Sequence, residues 1–376
     1  MKMTAFPVLG TLLLFTQLPS GAALAALALP SDTTQALEIL RKKHALPALA
    51  VVVVKDGTIW DRAATGVRKF GDPARVTTND LFHIGSCTKS MTATLAARLI
   101  EEGKLRWDTT IAEVFPELKG KMSQPYASVT LEQLLVHRAG APRDPPADLW
   151  AAAKKREGTP TEQRSAFVKG LLAHRPDRTP GTHWEYSDAG YAIVGAMMER
   201  VTGKAWEDLM RERLFVPLGL KSAGFGEPAT VGQVDQPWGH RGDEHPFHPV
   251  PPGPLADNPP AIGPAATVHC SIADFARYAA WHVAGARGDG WLLKPESFTK
   301  LHTPPAEQEY AMGWAVTKRR WAGGITLMHN GENEMFYAVM WLGPGENTCF
   351  VAACNCDGPE ADAACDEAIK MMINRF

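Results

Sequence analysis

The sequence predicts an α/β (α+β) fold in which one antiparallel sheet, built from both ends of the chain, is flanked by helices and carries a mostly helical insertion. Three observations predict it. Runs rich in β-branched and apolar residues are concentrated near the two ends, at residues 48–67 and again at 312–353. The stretch between them shows helical periodicity and turn residues. A chain of 376 residues with 21% charged residues can also bury one large core or two modest ones. The expected organisation is a sheet lobe of residues 31–105 and 255–376 and an insertion lobe of residues 106–254 that ends in a proline-rich loop.

From the start of the chain, Lys2 precedes an apolar stretch at residues 5–18 and then Ala23-Leu24-Ala25 and Ala26-Leu27-Ala28, the small-x-small pattern of a cleavage site. Residues 1–28 therefore read as a removed secretory signal, and the protein as exported, periplasmic or secreted. Pro7, Gly10 and Thr11 interrupt a run already shorter than the roughly 20 apolar residues of a spanning helix, so no stable membrane anchor is expected. A helix over residues 32–44, with Ala36, Leu37, Ile39 and Leu40 in register, leads through Pro47 into a strand at 48–54. Lys55-Asp56-Gly57 turns it into a hairpin with residues 58–67.

Residues 86–102 are small or apolar nearly all round and stop at Gly103, the pattern of a buried helix. In the insertion, Thr130 and Gln133 form a capping-box pair, and residues 189–202 carry another apolar stripe. Prolines dominate residues 244–264, which are expected to form an extended loop that has no core of its own and walls a cleft. A helix at 271–283, strands at 312–316, 325–329, 336–342 and 349–353, and a helix near 361–373 complete the chain.

Composition excludes several functions. The formal net charge is -2 and no long Lys/Arg run is present, so nucleic acid is not an expected partner. His240, His245 and His248 lack the spacing of a helical zinc pair and read as solvated loop histidines, so no metal or other cofactor is expected. The six cysteines, Cys87, Cys270, Cys349, Cys354, Cys356 and Cys365, resemble neither a redox pair nor a zinc knuckle and read as buried free thiols. Trp184, Trp238, Trp314 and Trp321 carry no site assignment.

Ser86-Cys87-Thr88-Lys89 places a hydroxyl and an amine three residues apart, on one helical face with Cβ atoms about 5–6 Å apart. Burial and the positive helix start disfavour the ammonium, which lets the amine act as base toward the serine, and the same helix start offers amides to an oxyanion. Ser297-Phe298-Thr299-Lys300 repeats the spacing between Pro295 and Pro304, with no long helix behind it, and Ser297 reads as surface.

The context of Ser86 resembles the serine β-lactamase-related family, which includes class C β-lactamases, D,D-peptidases, D-aminopeptidases and esterases. Five stretches carry the resemblance: Phe82-His83-Ile84-Gly85-Ser86-Cys87-Thr88-Lys89, the segment from Val129 to Gly140, Pro180-Gly181-Thr182 with Tyr186-Ser187-Asp188, Val216-Pro217-Leu218-Gly219-Leu220, and His329-Asn330-Gly331. It implies a β-lactamase/penicillin-binding-protein-like fold and a small-molecule ester, amide or lactam substrate. It also implies Ser86 as acylated nucleophile, Lys89 as its proton partner, Tyr186 as second-motif base, and His329, Asn330 and Gly331 as the opposite wall. The amides of Ser86 and Glu332 would form the oxyanion hole. Whether Lys89 or Tyr186 takes the proton stays open.

Two positions depart from the commoner pattern. Asp188 stands where the family usually has Asn, so it accepts but does not donate hydrogen bonds; it either holds Lys89 protonated or meets a substrate ammonium. His329 stands where β-lactamases and D,D-peptidases usually have Lys, which weakens the grip on a substrate carboxylate and tilts the reading toward an esterase or small-amide hydrolase. A true β-lactamase or D,D-peptidase and a non-turning-over binding or sensor protein are the alternatives.

Overall fold

The computed structural model describes residues 32–242 and 247–376, so the secretory-signal reading and His245 lie outside the described residues. The hairpin of β1 (Ala48–Lys55) and β2 (Thr58–Gly66) joins β3 (Ala315–Arg319), β4 (Gly324–Glu332), β5 (Tyr337–Gly343) and β6 (Thr348–Cys354) in one sheet, ordered β2-β1-β6-β5-β4-β3. All of its pairings are antiparallel, and β1 lies directly on β6 with Val52 opposite Val351. The two chain ends thus meet in the middle of the sheet, as the distribution of strand-like runs predicts.

β1 is apolar throughout because both faces of the sheet are covered. Leu49, Val51 and Val53 face α1 (Thr33–Lys43) and the C-terminal helix, packing with Leu37, Leu40, Ile369 and Met372. Ala50, Val52 and Val54 belong to the larger core on the other face, with Met91 and Leu95 of α2 (Thr88–Glu101). Two-sided burial removes the alternation that a half-exposed strand would show. Asp32 caps α1 by accepting a hydrogen bond from the Gln35 amide at 2.8 Å. The predicted capping box forms at α3 (Leu131–Leu135), with Thr130 and Gln133 bonded reciprocally.

The insertion packs α4 (Pro160–Ala173) on α5 (Asp188–Thr202), and α5 lies across α2. Gly195 of α5 permits the close approach of the turn at Gly263–Ala266, since a Cβ would stand 2.3 Å from Pro264. Past the insertion, α6 (Ile272–Ala286) covers β6, α7 (Pro295–His302) packs on α6, and α8 (Pro359–Ile373) closes the far face. Among the described residues no helix is long and apolar enough to cross a membrane.

Several expectations need correction. The strand expected at 312–316 begins at Ala315, because Gly313 has φ +80° and its Cα sits against the Ser90 backbone, which breaks the extended run. The proline-rich segment is not free of core: residues 260–266 form short helical turns that bury Ala261, Ile262 and Ala265. Ser297 is half-buried on α7 and donates to Glu101 at 2.6 Å, while Lys300 pairs with Glu132, so the second Ser-x-x-Lys makes no dyad. His240 is fully buried rather than solvated: one ring nitrogen accepts from the Phe70 amide and the other meets the Asn355 carbonyl, and burial pushes its pKa down to about 4. All six cysteines are buried free thiols.

Candidate active site

Ser86 sits one turn earlier than a regular helix start, in the 3-10 turn Gly85–Cys87 that leads into α2. Lys89, on the first turn of α2, has no solvent exposure. Its Nζ donates to Ser86 Oγ at 2.9 Å and to the Ala265 carbonyl at 3.2 Å, and forms an ion pair with Asp188 Oδ1 at 2.6 Å. Burial lowers the Lys89 pKa from the usual lysine value, and the Asp188 charge works against that shift. Asp188 is held by the start of α5, where the Ser187 hydroxyl accepts from the Gly190 amide and the helix dipole favours a carboxylate.

The Lys89 nitrogen also lies 4.6 Å from the centre of the Tyr186 ring. The Tyr186 hydroxyl shares a hydrogen bond with Ser86, yet burial and the neighbouring Asp188 raise its pKa well above the usual phenol value. Burial thus disfavours the charged forms of both groups, the phenolate of Tyr186 and the ammonium of Lys89, while Asp188 works in favour of that ammonium.

Opposite Ser86, the end of β4 comes within backbone contact of the Gly85–Cys87 turn. A Cβ on Gly331 would stand 2.2 Å from the Ile84 carbonyl oxygen and 2.4 Å from the Ser86 nitrogen, and one on Gly85 would stand 2.3 Å from the Glu332 nitrogen. Only glycine fits at both places, and Gly85 also has φ +48°. These two glycines let the backbone around Ser86 and the backbone around Glu332 lie directly against each other. The Glu332 carboxyl is half-buried and its pKa is raised, chiefly by burial; its hydrogen bond with the Glu334 amide is the next influence and opposes the shift, Asp188 and Glu334 add to it, and Lys89 opposes it least.

His329 is on the cleft face of β4 but is buried, and its ring is occupied. Nδ1 faces its neighbour's carbonyl, Asn330 O, which places the proton there, so Nε2 accepts from the Tyr310 hydroxyl at 3.0 Å. Burial, and next the Lys89 charge, push its pKa down to about 3. Asn330 points to the other side of the sheet, where its Nδ2 donates to Tyr337 at 3.2 Å and Tyr337 donates to Asp362 of α8. Strand alternation thus leaves only the Asn330 backbone on the cleft side of β4.

Three further groups escaped the sequence reading. Tyr310 fixes His329 and belongs to no motif. His137, inside the Val129–Gly140 segment, has φ +59°; its carbonyl accepts from the Glu185 amide at 2.9 Å and its Nδ1 from the Ser187 amide at 3.2 Å, which clamps both neighbours of Tyr186. The positive φ of a non-glycine residue in a quoted motif was the available signal, but only coordinates reveal it. His83 Nδ1 accepts from the Gly85 amide at 3.1 Å, and its Nε2 lies 2.8 Å from Asp257 Oδ1, with both side chains buried. A recess of about 390 Å³ lined by Lys104, Arg106, Glu113 and Arg200 lies beyond the C-terminal end of α2, roughly 20 Å along the helix from Ser86.

The family model described as Beta-lactamase matches residues 33–370. The chain belongs to the beta-lactamase family. Within it, the chain is similar to penicillin-binding protein 4 of Amycolatopsis lactamdurans, at 34% identity over 321 residues that cover 82% of this chain and 80% of that protein. It is also similar to the lovastatin esterase of Penicillium rubens, at 29% identity over 196 residues, 47% of this chain and 48% of that one. The fold matches that of D-alanine carboxypeptidase AmpC from Burkholderia cenocepacia with a TM-score of 0.71 and 23% identity, covering 92% of this chain and 98% of the other. As a beta-lactamase-family protein the chain is a serine hydrolase with a mixed α/β fold.

Proposed function

We propose that this exported hydrolase cleaves uncharged esters or small amides and lactams through an acyl-enzyme on Ser86. The observation that carries the substrate reading is His329: buried, neutral and engaged at both ring nitrogens, it offers no cation to a substrate carboxylate. The similarity to the lovastatin esterase supports the ester reading.

In acylation the Ser86 proton passes to neutral Lys89 as Oγ attacks the carbonyl carbon. The new ammonium is stabilised by Asp188 and the Ala265 carbonyl, and the oxyanion by the Ser86 and Glu332 amides. As the bond to the leaving group breaks, Tyr186 gives that group its hydroxyl proton and is re-protonated from Lys89. Lys89 is again neutral. It then takes a proton from the water that attacks the acyl carbon and returns it to Ser86 Oγ when the acid leaves.

The experiment is intact-protein mass after exposure to an activated fluorophosphonate, for wild type and Ser86→Ala, together with p-nitrophenyl butyrate and nitrocefin turnover. A single adduct that disappears in Ser86→Ala, with faster turnover of the butyrate, is the expected result. The similarity to penicillin-binding protein 4 favours the second reading, a β-lactam or D-Ala-terminated substrate, which faster nitrocefin turnover would establish instead. No adduct and no turnover would leave a binding or sensor role.

A further inference from the structure

The aromatic side chains around Tyr186 do not end at the catalytic phenol. Trp184 stands two residues before it, and its ring centroid lies 6.4 Å from that of Tyr186, 6.0 Å from that of Tyr310 and 6.0 Å from that of His137. Tyr310 and His137 are in turn 4.9 Å apart. The wall runs from buried rings outward: His137 is 2% exposed, Tyr310 9% and Trp184 38%. A tryptophan left this open beside a catalytic group is a large apolar surface that the fold itself does not cover.

The backbone that carries the ring is also tied down. The Gly181 amide donates to Arg138 O at 2.7 Å, Thr182 to Thr179 at 3.2 Å and Glu185 to His137 at 2.9 Å, so the loop carrying Trp184 is tied on both sides of it. A partly exposed aromatic face on a tied backbone stacks on a ligand ring at a reduced ordering cost. Its place relative to the chemistry says which part of the substrate meets it. Tyr186 protonates the departing oxygen or nitrogen, so the leaving group must lie against Tyr186, and the rings that continue outward from Tyr186 flank that group rather than the acyl chain.

Resting on the hydrolase reading above, we infer that Trp184, backed by Tyr310, forms a leaving-group subsite for an uncharged aromatic ring, so that the preferred substrates are aryl esters or anilide-like amides. Trp184, Tyr310 and His137 offer no cation, and Lys89 Nζ is already paired with Asp188, so an anionic leaving group gains nothing from these rings.

The test compares phenyl acetate with hexafluoroisopropyl acetate, which share an acyl group and have leaving groups of similar acidity, only one of them aromatic. The readout is the ratio of their kcat/KM values in wild type, Trp184→Ala and Trp184→Phe. The phenyl ester is expected to be preferred by wild type, with the ratio falling about tenfold in Trp184→Ala, mostly through KM, and largely restored in Trp184→Phe. A ratio that is the same in all three proteins overturns the subsite. Fluorophosphonate labelling of wild type separates the two levels: an enzyme that labels at Ser86 but shows no change in ratio refutes only the subsite, whereas one that takes no label refutes the hydrolase reading and the subsite with it.

Discussion

Replacing Asp188 by Asn tests the assignment of Lys89 as base more directly than removing the lysine would. The substitution keeps size and shape and restores the amide commoner in the family, but deletes a negative charge 2.6 Å from Nζ. At an effective dielectric of about 20, two unit charges at that distance attract by roughly 6 kcal/mol, an upper limit. The Asp188 side chain is 22% exposed, so solvent screens part of it, and opposite charges in this position ordinarily shift a titration by about 1 to 3 pH units. The sign follows from which form reacts. Neutral Lys89 accepts the Ser86 proton, so the acylation rate rises with pH as the ammonium deprotonates; Asp188 raises that pKa, and its removal lowers it.

The rate constant for fluorophosphonate labelling of Ser86, followed by intact mass from pH 5 to 10, should therefore show its acid limb displaced to lower pH by about 1 to 3 units in Asp188→Asn. Its plateau should be lower than that of wild type, because the ammonium formed in the transition state loses its counter-charge. The profiles then cross, with the variant faster at low pH and slower at high pH. An acid limb that stays in place, or moves up, would mean that the base does not sense Asp188 and would refute the role given to Lys89.

Two other substitutions probe the scaffold of the site. Gly331→Ala drives a Cβ to within 2.2 Å of the Ile84 carbonyl oxygen and 2.4 Å of the Ser86 nitrogen, so β4 must retreat and the two oxyanion amides separate; kcat for p-nitrophenyl butyrate should fall about 10²–10³-fold, and a variant that keeps its Tm and its kcat would disprove the hole. His83→Ala strips the buried Asp257 carboxylate and the Gly85 amide of their shared partner and should cost about 3–5 kcal/mol in urea unfolding, whereas a loss below about 1 kcal/mol would show the pair to be dispensable.

The sheet was legible because its strands are monotonous: residues 48–54 are apolar at every position, which only a strand covered on both faces requires, and the same holds near Phe350 and Val351. Ser86 and Lys89 were legible from spacing, since three residues along a helix is a local distance. What the sequence hid is tertiary. Ala265 meets Lys89 only because a proline-rich segment folds back across α2, and a carbonyl leaves no mark in the side-chain pattern. Asp257 lies 174 residues from His83, and Tyr310 reaches His329 from a separate segment. That His329 is no permanent cation follows from its residue type, but the engagement of its ring by Tyr310 and a carbonyl is tertiary and strand alternation alone does not reveal it.

The two departures from the commoner motif are coupled through Lys89. A lysine at position 329 would place a second positive charge near the amine and depress its pKa by repulsion. Neutral His329 gives no such push, and Asp188 pulls in the opposite direction, so in this chain the amine depends on desolvation, the largest influence on it. In the proposed mechanism its reactivity would then follow how well water is kept out by the Ala265 segment, the Tyr310–His329 pair and the rings of Tyr186 and Tyr191. A substrate ring laid on Trp184 would extend the same wall over the cleft, drying the amine further at the moment it must take the serine proton.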